Sequence, residues 1–181
     1  MRYSIGSILV AGALIASAGA ATAQARMRPA TAGVSGGIAM CCLSRLSEAE
    51  AAEIDARIED AALLAQEGKL EEARKALKSV IADQQKVDAY ANRSLRELAG
   101  VLLALDRPLE AAATLKQLAW QAAQADDPET ELMASVDAAV TYAQFGKHAR
   151  AGALIPRIRQ LLDSPRIPEE TRRMVASQIV W

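Results

Sequence analysis

Side chains able to do acid–base, nucleophilic or metal chemistry are few in this chain. None stands in a spacing that such chemistry requires. His148 is the only histidine. A catalytic or metal-binding imidazole needs partners, and its ionisable neighbours Lys147 and Arg150 are both basic. Asp126, Asp127 and Glu129 cluster around Pro128. Paired carboxylates can share a proton, but Asp-Pro-Glu is also how a helix begins. Asp caps free amides, Pro suits the first turn, and Glu meets the positive end of the dipole. That helix start accounts for the cluster. Glycine-rich phosphate loops, nucleophile elbows and metal-ligand spacings are all missing. No catalytic, cofactor or metal residue is therefore assigned, and the chain reads as no enzyme.

The two cysteines, Cys41 and Cys42, are adjacent. Three readings stay open for them. A lipid-modified cysteine would need a lipobox directly after an apolar stretch, whereas Ile38-Ala39-Met40 precedes Cys41 well beyond it. A vicinal disulfide is strained, but a bridge between chains is open to them in an oxidising compartment. The third reading is two thiols with no set role. No CxxC spacing supports redox or zinc chemistry.

Charge excludes more. Lys plus Arg number 21 against 22 Asp plus Glu, a net charge of −1. Such a balance draws the chain toward neither nucleic acid nor acidic membrane. The N-terminus supplies an address instead. "MRYSIGSILVAGALIASAGAATAQA" has a basic start, a short apolar run, and Ala23-Gln24-Ala25 as a small-x-small site. It resembles a secretory signal peptide over residues 1–25, cleaved before Arg26, which makes the protein exported, periplasmic or secreted. Membrane contact follows only through that peptide, if it is uncleaved. Residues 26–46 carry Pro29, Gly33, Gly36 and Gly37 and read as a flexible leader.

The elements begin at Ser47. Ser47 and Glu50 form a capping-box pattern ahead of an apolar-periodic run. Hydrophobic residues make up 51% and aromatics only 3%, so close-packed helices rich in Ala and Leu are expected. "EGKLEEARKAL" is echoed by "LDRPLEAAATL" and "FGKHARAGALI". Each copy holds a breaker (Gly68, Asp106 or Gly146), then a base (Lys69, Arg107 or Lys147) and an alanine (Ala73, Ala111 or Ala151). Large aliphatics follow at Leu77, Leu115 and Ile155, and again at Val80, Leu118 and Ile158. The preceding helices align at Ala61, Ala99 and Ala139. Small residues let neighbouring helices approach, and aliphatics fill the space beside them. By this register Ala112, one step round from Ala111, is the less crowded of the two. Pro156 should kink the last helix of the array, because its ring clashes with the carbonyl of Gly152.

The pattern resembles the tetratricopeptide repeat (TPR) family in a longer-helix form, the usual period being ~34 residues. The likeness covers residues 48–163, without the tryptophan often found in the first helix and with Asp106 in place of a glycine. A helical hairpin array outside that family would share the same features. The expected fold is all-α: a solenoid of three antiparallel helix pairs over 47–165, closed by a capping helix over 166–181. Met174, Val175, Ile179 and Val180 are its apolar residues.

The resemblance implies a groove lined by the first helix of each pair. The family's carboxylate clamp is missing, since Ile58, Ala62, Glu97, Met133 and Asp137 stand at its positions. What remains is an apolar strip of Ile58, Leu103, Met133, Val136 and Val140, flanked by Arg93 and Arg96. Such a strip suits an amphipathic helix or extended apolar peptide of a protein partner. The competing assignment makes the same strip inter-helix core. No small-molecule substrate is implied. The expected function is an exported protein–protein interaction module of the cell envelope, the alternative a self-associating structural protein with no separate ligand.

Overall fold

The computed structural model describes residues 46–178. The signal peptide, the leader up to residue 45 with Cys41 and Cys42, and Ile179 and Val180 lie outside the described residues. Within them the chain is all-α, with no strand. The helices are α1 (Glu48–Gln66), α2 (Leu70–Lys86), α3 (Asn92–Ala104), α4 (Pro108–Gln124), α5 (Pro128–Gln144), α6 (His148–Gly152), α7 (Ile155–Leu162) and α8 (Glu169–Gln178). None is long and apolar enough to cross a membrane.

Local chemistry explains their ends. The capping box forms as expected: Ser47 N–H donates to Glu50 Oε2 at 2.9 Å, and Glu50 N–H donates to Ser47 Oγ at 3.3 Å. The first five helices all stop by one device. Gly68, Asp88, Asp106, Asp126 and Gly146 adopt left-handed φ of 79°, 49°, 55°, 57° and 70°. The next amide then returns to a carbonyl of the last turn: Lys69 to Leu64, Ala89 to Gln84, Arg107 to Leu102, Asp127 to Ala122 and Lys147 to Tyr142, at 2.7–2.9 Å. This closes carbonyls that a helix end leaves open. Glycine adopts the left-handed conformation freely, and aspartate tolerates it through its short polar side chain. The three breakers read from the repeat are thus joined by two aspartates, at 88 and 126, that the repeat pattern did not single out.

From α1 to α7 each helix packs on the next, most extensively α4 on α5; α1 also touches α3, and α7 and α8 both pack on α5. The aligned alanines sit where helices meet: Ala61, Ala73, Ala99, Ala111, Ala139 and Ala151 are all buried. Leu77, Val80, Leu115, Leu118 and Ile158 are buried beside them. Two expectations fail here. Ala112 is 0% exposed and packs with Tyr142 and Ala151, because α4 is covered by α3 on one side and α5 on the other. Met174 is 44% exposed, and Val175 alone of the described apolar residues on α8 is buried.

The helix after Gly146 is split. Pro156 has no N–H to return to Gly152, and the chain makes a turn at Ala153–Leu154 before α7 resumes with Pro156 in its first turn. Polar contacts hold the C-terminal segment. Arg157 grips the buried Glu131 with Nε at 2.6 Å and Nη2 at 2.8 Å. Thr171 Oγ1 donates to Glu129 at 2.6 Å. Arg166 donates to the carboxylate of Asp126.

Candidate functional site

Between α3 and α5 runs a groove of about 510 Å³, floored by Leu115 of α4. Arg96, Gly100 and Leu103 come from one side of α3, spaced at three and four residues and so one above another on a helix. Asp137 and Val140 come from α5 with the same spacing. Leu103 is 48% exposed. Val140 is half-buried.

Two members of this lining work against stability. Gly100 lies inside α3, where glycine is disfavoured by about 1 kcal/mol relative to alanine. No packed neighbour requires it, for a methyl group there would meet nothing within 4 Å. Its missing side chain leaves the groove deeper. Asp137 is half-buried, and among the described residues its carboxylate has no hydrogen bond or ion pair. Burial pushes its carboxyl above the ordinary aspartate value, and the charge of Arg96 offsets this only in part. Thr141 does not relieve it, because that hydroxyl donates to the Asp137 backbone carbonyl at 2.8 Å.

No protein-family model, curated protein or solved structure matches this chain. The groove's own residues therefore carry the functional argument.

Of the seven residues in the strip expected from sequence, the structure brings Arg96, Leu103 and Val140 together. Arg93 lies beside them on α3, but its guanidinium is bound to α1, at 3.1 Å from Asp55 and 3.3 Å from Glu59. Met133 is half-buried against the core of α5, α7 and α8. Ile58 and Val136 are corrected. Ile58 is 1% exposed and belongs to the core shared by α1, α2 and α3. Val136 is 0% exposed, packed with Leu132, Ile158, Leu161, Ile167 and Val175. The physical reason is coverage: α7 and α8 both pack on α5 and cover Val136, while Asp137 and Val140 are left to line the groove beside α3.

Asp137 and Gly100 fall on the face that the repeat register assigns to the groove, and the structure places both in its lining. Leu115 reads as pure core in the repeat and turns out to be buried and to floor the groove as well. Only the gap between α3 and α5 reveals either fact.

The other chemistry-bearing side chains are accounted for structurally. Asp127 caps α5, its Oδ1 accepting from Thr130 N–H at 3.1 Å, and its Oδ2 accepts from Tyr90 Oη at 3.0 Å. Asp126 and Glu129 bind the C-terminal segment rather than cap a helix. His148 is exposed at the start of α6. Among the described residues no group of three His, Cys, Asp or Glu side chains could hold a metal ion.

Proposed function

We propose that this protein is an exported, non-enzymatic interaction module, TPR-like in build, that holds a segment of a protein partner in the groove between α3 and α5. In this reading α1 with α2, α3 with α4, and α5 with α6 and α7 are three antiparallel pairs of a short solenoid, and α8 closes its end. The burial of the aligned alanines supports that arrangement, as does the common form of the five turns. Export rests on residues 1–25 alone, and no cofactor is invoked.

The observation that carries the reading is the pairing of an exposed Leu103 with Gly100 and Asp137 in one groove. Gly100 and Asp137 are poor choices for stability, Leu103 is left in contact with water, and all three line the same opening. Residues kept against stability at one place are the ordinary mark of a binding surface. A photo-crosslinking residue at position 103, in cells that export the protein, tests it. A defined heterologous adduct is expected from position 103 and none from Lys116, exposed on α4. Adducts from neither position would remove the groove as a partner site.

A second reading is self-association without a separate ligand. Trp120, 64% exposed on α4, favours it, because a large aromatic left in water often marks a contact. The same cells decide between them: a crosslinked homodimer through position 120, with nothing at 103, would support the structural role.

A further inference from the structure

The lining of the α3–α5 groove is not uniformly apolar, and its one acidic member names the chemistry of the occupant. Leu103, Leu115, Val140 and Ala99 supply apolar walls, while the Asp137 carboxylate sits among them with no hydrogen bond or salt bridge among the described residues, the charge of Arg96 on the same lining acting on it without closing a pair. An apolar side chain in this groove would bury that carboxylate further and leave it unpaired, which is strongly unfavourable. An acidic side chain would add like-charge repulsion. A lysine or arginine meets both demands: its methylene stem lies along apolar surface and its charged head pairs with the carboxylate.

We infer that the groove is built for a basic side chain of the partner, with its stem between Leu103 and Val140 and its charge at Asp137. This rests on the reading of the groove as a partner-binding face. Arg96 does not already fill that role. It is exposed, its charge offsets the burial of Asp137 only in part, and among the described residues it closes no salt bridge with that carboxylate. Burial remains the larger influence on the Asp137 carboxyl, so a cation reaching it gains more than one pairing with a solvated carboxylate. Gly100 leaves the space: any side chain there would narrow the opening into which the stem must pass.

Three six-carbon probes test this on the full chain by NMR titration: n-hexylammonium, 1-hexanol and hexanoate. The signals followed are the Gly100 and Leu103 amides and the Asp137 carboxyl carbon. Hexylammonium should bind about tenfold more tightly than hexanol, the factor expected of one charge-assisted hydrogen bond, and hexanoate more weakly than both. Asp137→Asn should abolish the ammonium advantage and leave hexanol binding in place, whereas Glu72→Gln, exposed on α2, should change neither. If hexanol shifts Gly100 and Leu103 but hexylammonium binds no better, the basic-side-chain inference is wrong and the groove survives. If none of the three probes shifts those signals, the groove itself is lost, and this inference with it. An ammonium advantage that persists in Asp137→Asn would overturn the assignment to Asp137.

Discussion

Arg166 spans forty positions of sequence to reach Asp126, with Nη1 2.6 Å from Oδ1 and Nη2 2.8 Å from the Asp126 backbone carbonyl. The contact ties the loop before α8 to the left-handed residue that ends α4. It holds the Asp126 carboxyl below the ordinary aspartate value, the hydrogen bond from Arg166 being the main cause. A lowered folded-state value means stabilisation that is complete above the unfolded value of 3.8 and lost as pH falls through the folded one. Arg166→Ala should therefore lose stability near neutrality and show a shallower acid limb. Urea melts between neutral and strongly acidic pH check it; parallel curves for the two proteins would show that the pair contributes nothing.

Glu131 is buried and depends on Arg157 for charge compensation. Removing only the arginine should leave an unpaired buried carboxylate, at a cost of about 3 kcal/mol, the lower end for such pairs because Arg157 is half-exposed. The double variant Glu131→Met with Arg157→Met should recover most of that loss. A double variant as unstable as Arg157→Met would mean that the pair itself, and not the orphaned charge, carries the energy.

The packing of α4 and α5 makes graded predictions. Ala111→Leu and Ala112→Leu should each destabilise by ~1–3 kcal/mol, and Ala113→Leu, exposed, should stay within about ±0.5 kcal/mol. Val136→Glu should lose more than ~3 kcal/mol, because a carboxylate at a sealed position has neither water nor a partner. Thermal melts rank all four. An Ala112→Leu protein as stable as the parent would place α5 and α6 differently on α4.

Stability and binding should separate in the groove. Gly100→Ala should raise stability by about 1 kcal/mol. Asp137→Asn should also stabilise, with a specific pH signature. A carboxyl raised in the folded state leaves stability intact below the unfolded value of 3.8 and lowers it as pH rises through the folded value. The gain from Asp137→Asn should thus be present at neutral pH and vanish in strong acid. Denaturant melts at the two pH values measure it; a loss of stability at neutral pH would show that Asp137 has a structural partner.

What could be read from sequence is what depends on nearby residues. The capping box at Ser47 and Glu50, the break before Pro156 and the turns at Gly68, Asp106 and Gly146 all involve groups within five positions of one another. The recurring alanines were legible for a related reason. A helix contact that repeats along the chain repeats its small residues, and Ala73, Ala111 and Ala151 are buried as that logic requires. Even here Asp88 and Asp126 passed unnoticed as left-handed caps, because aspartate also starts helices and its φ leaves no mark in the sequence.

Tertiary structure alone decided which apolar side chains stay uncovered. Val136 and Val140 lie one turn apart on α5 and look alike by periodicity. Val136 is sealed by Ile158, Leu161 and Val175, side chains that follow it by more than twenty positions, and Val140 is left at a groove. Ile58 was lost from the strip in the same way, under α2 and α3. Burial is a sum over every helix that covers a face, and periodicity reports only the face. The meeting of Gly100, Leu103 and Asp137 from α3 and α5 is likewise a distance between helices, and no local rule contains it.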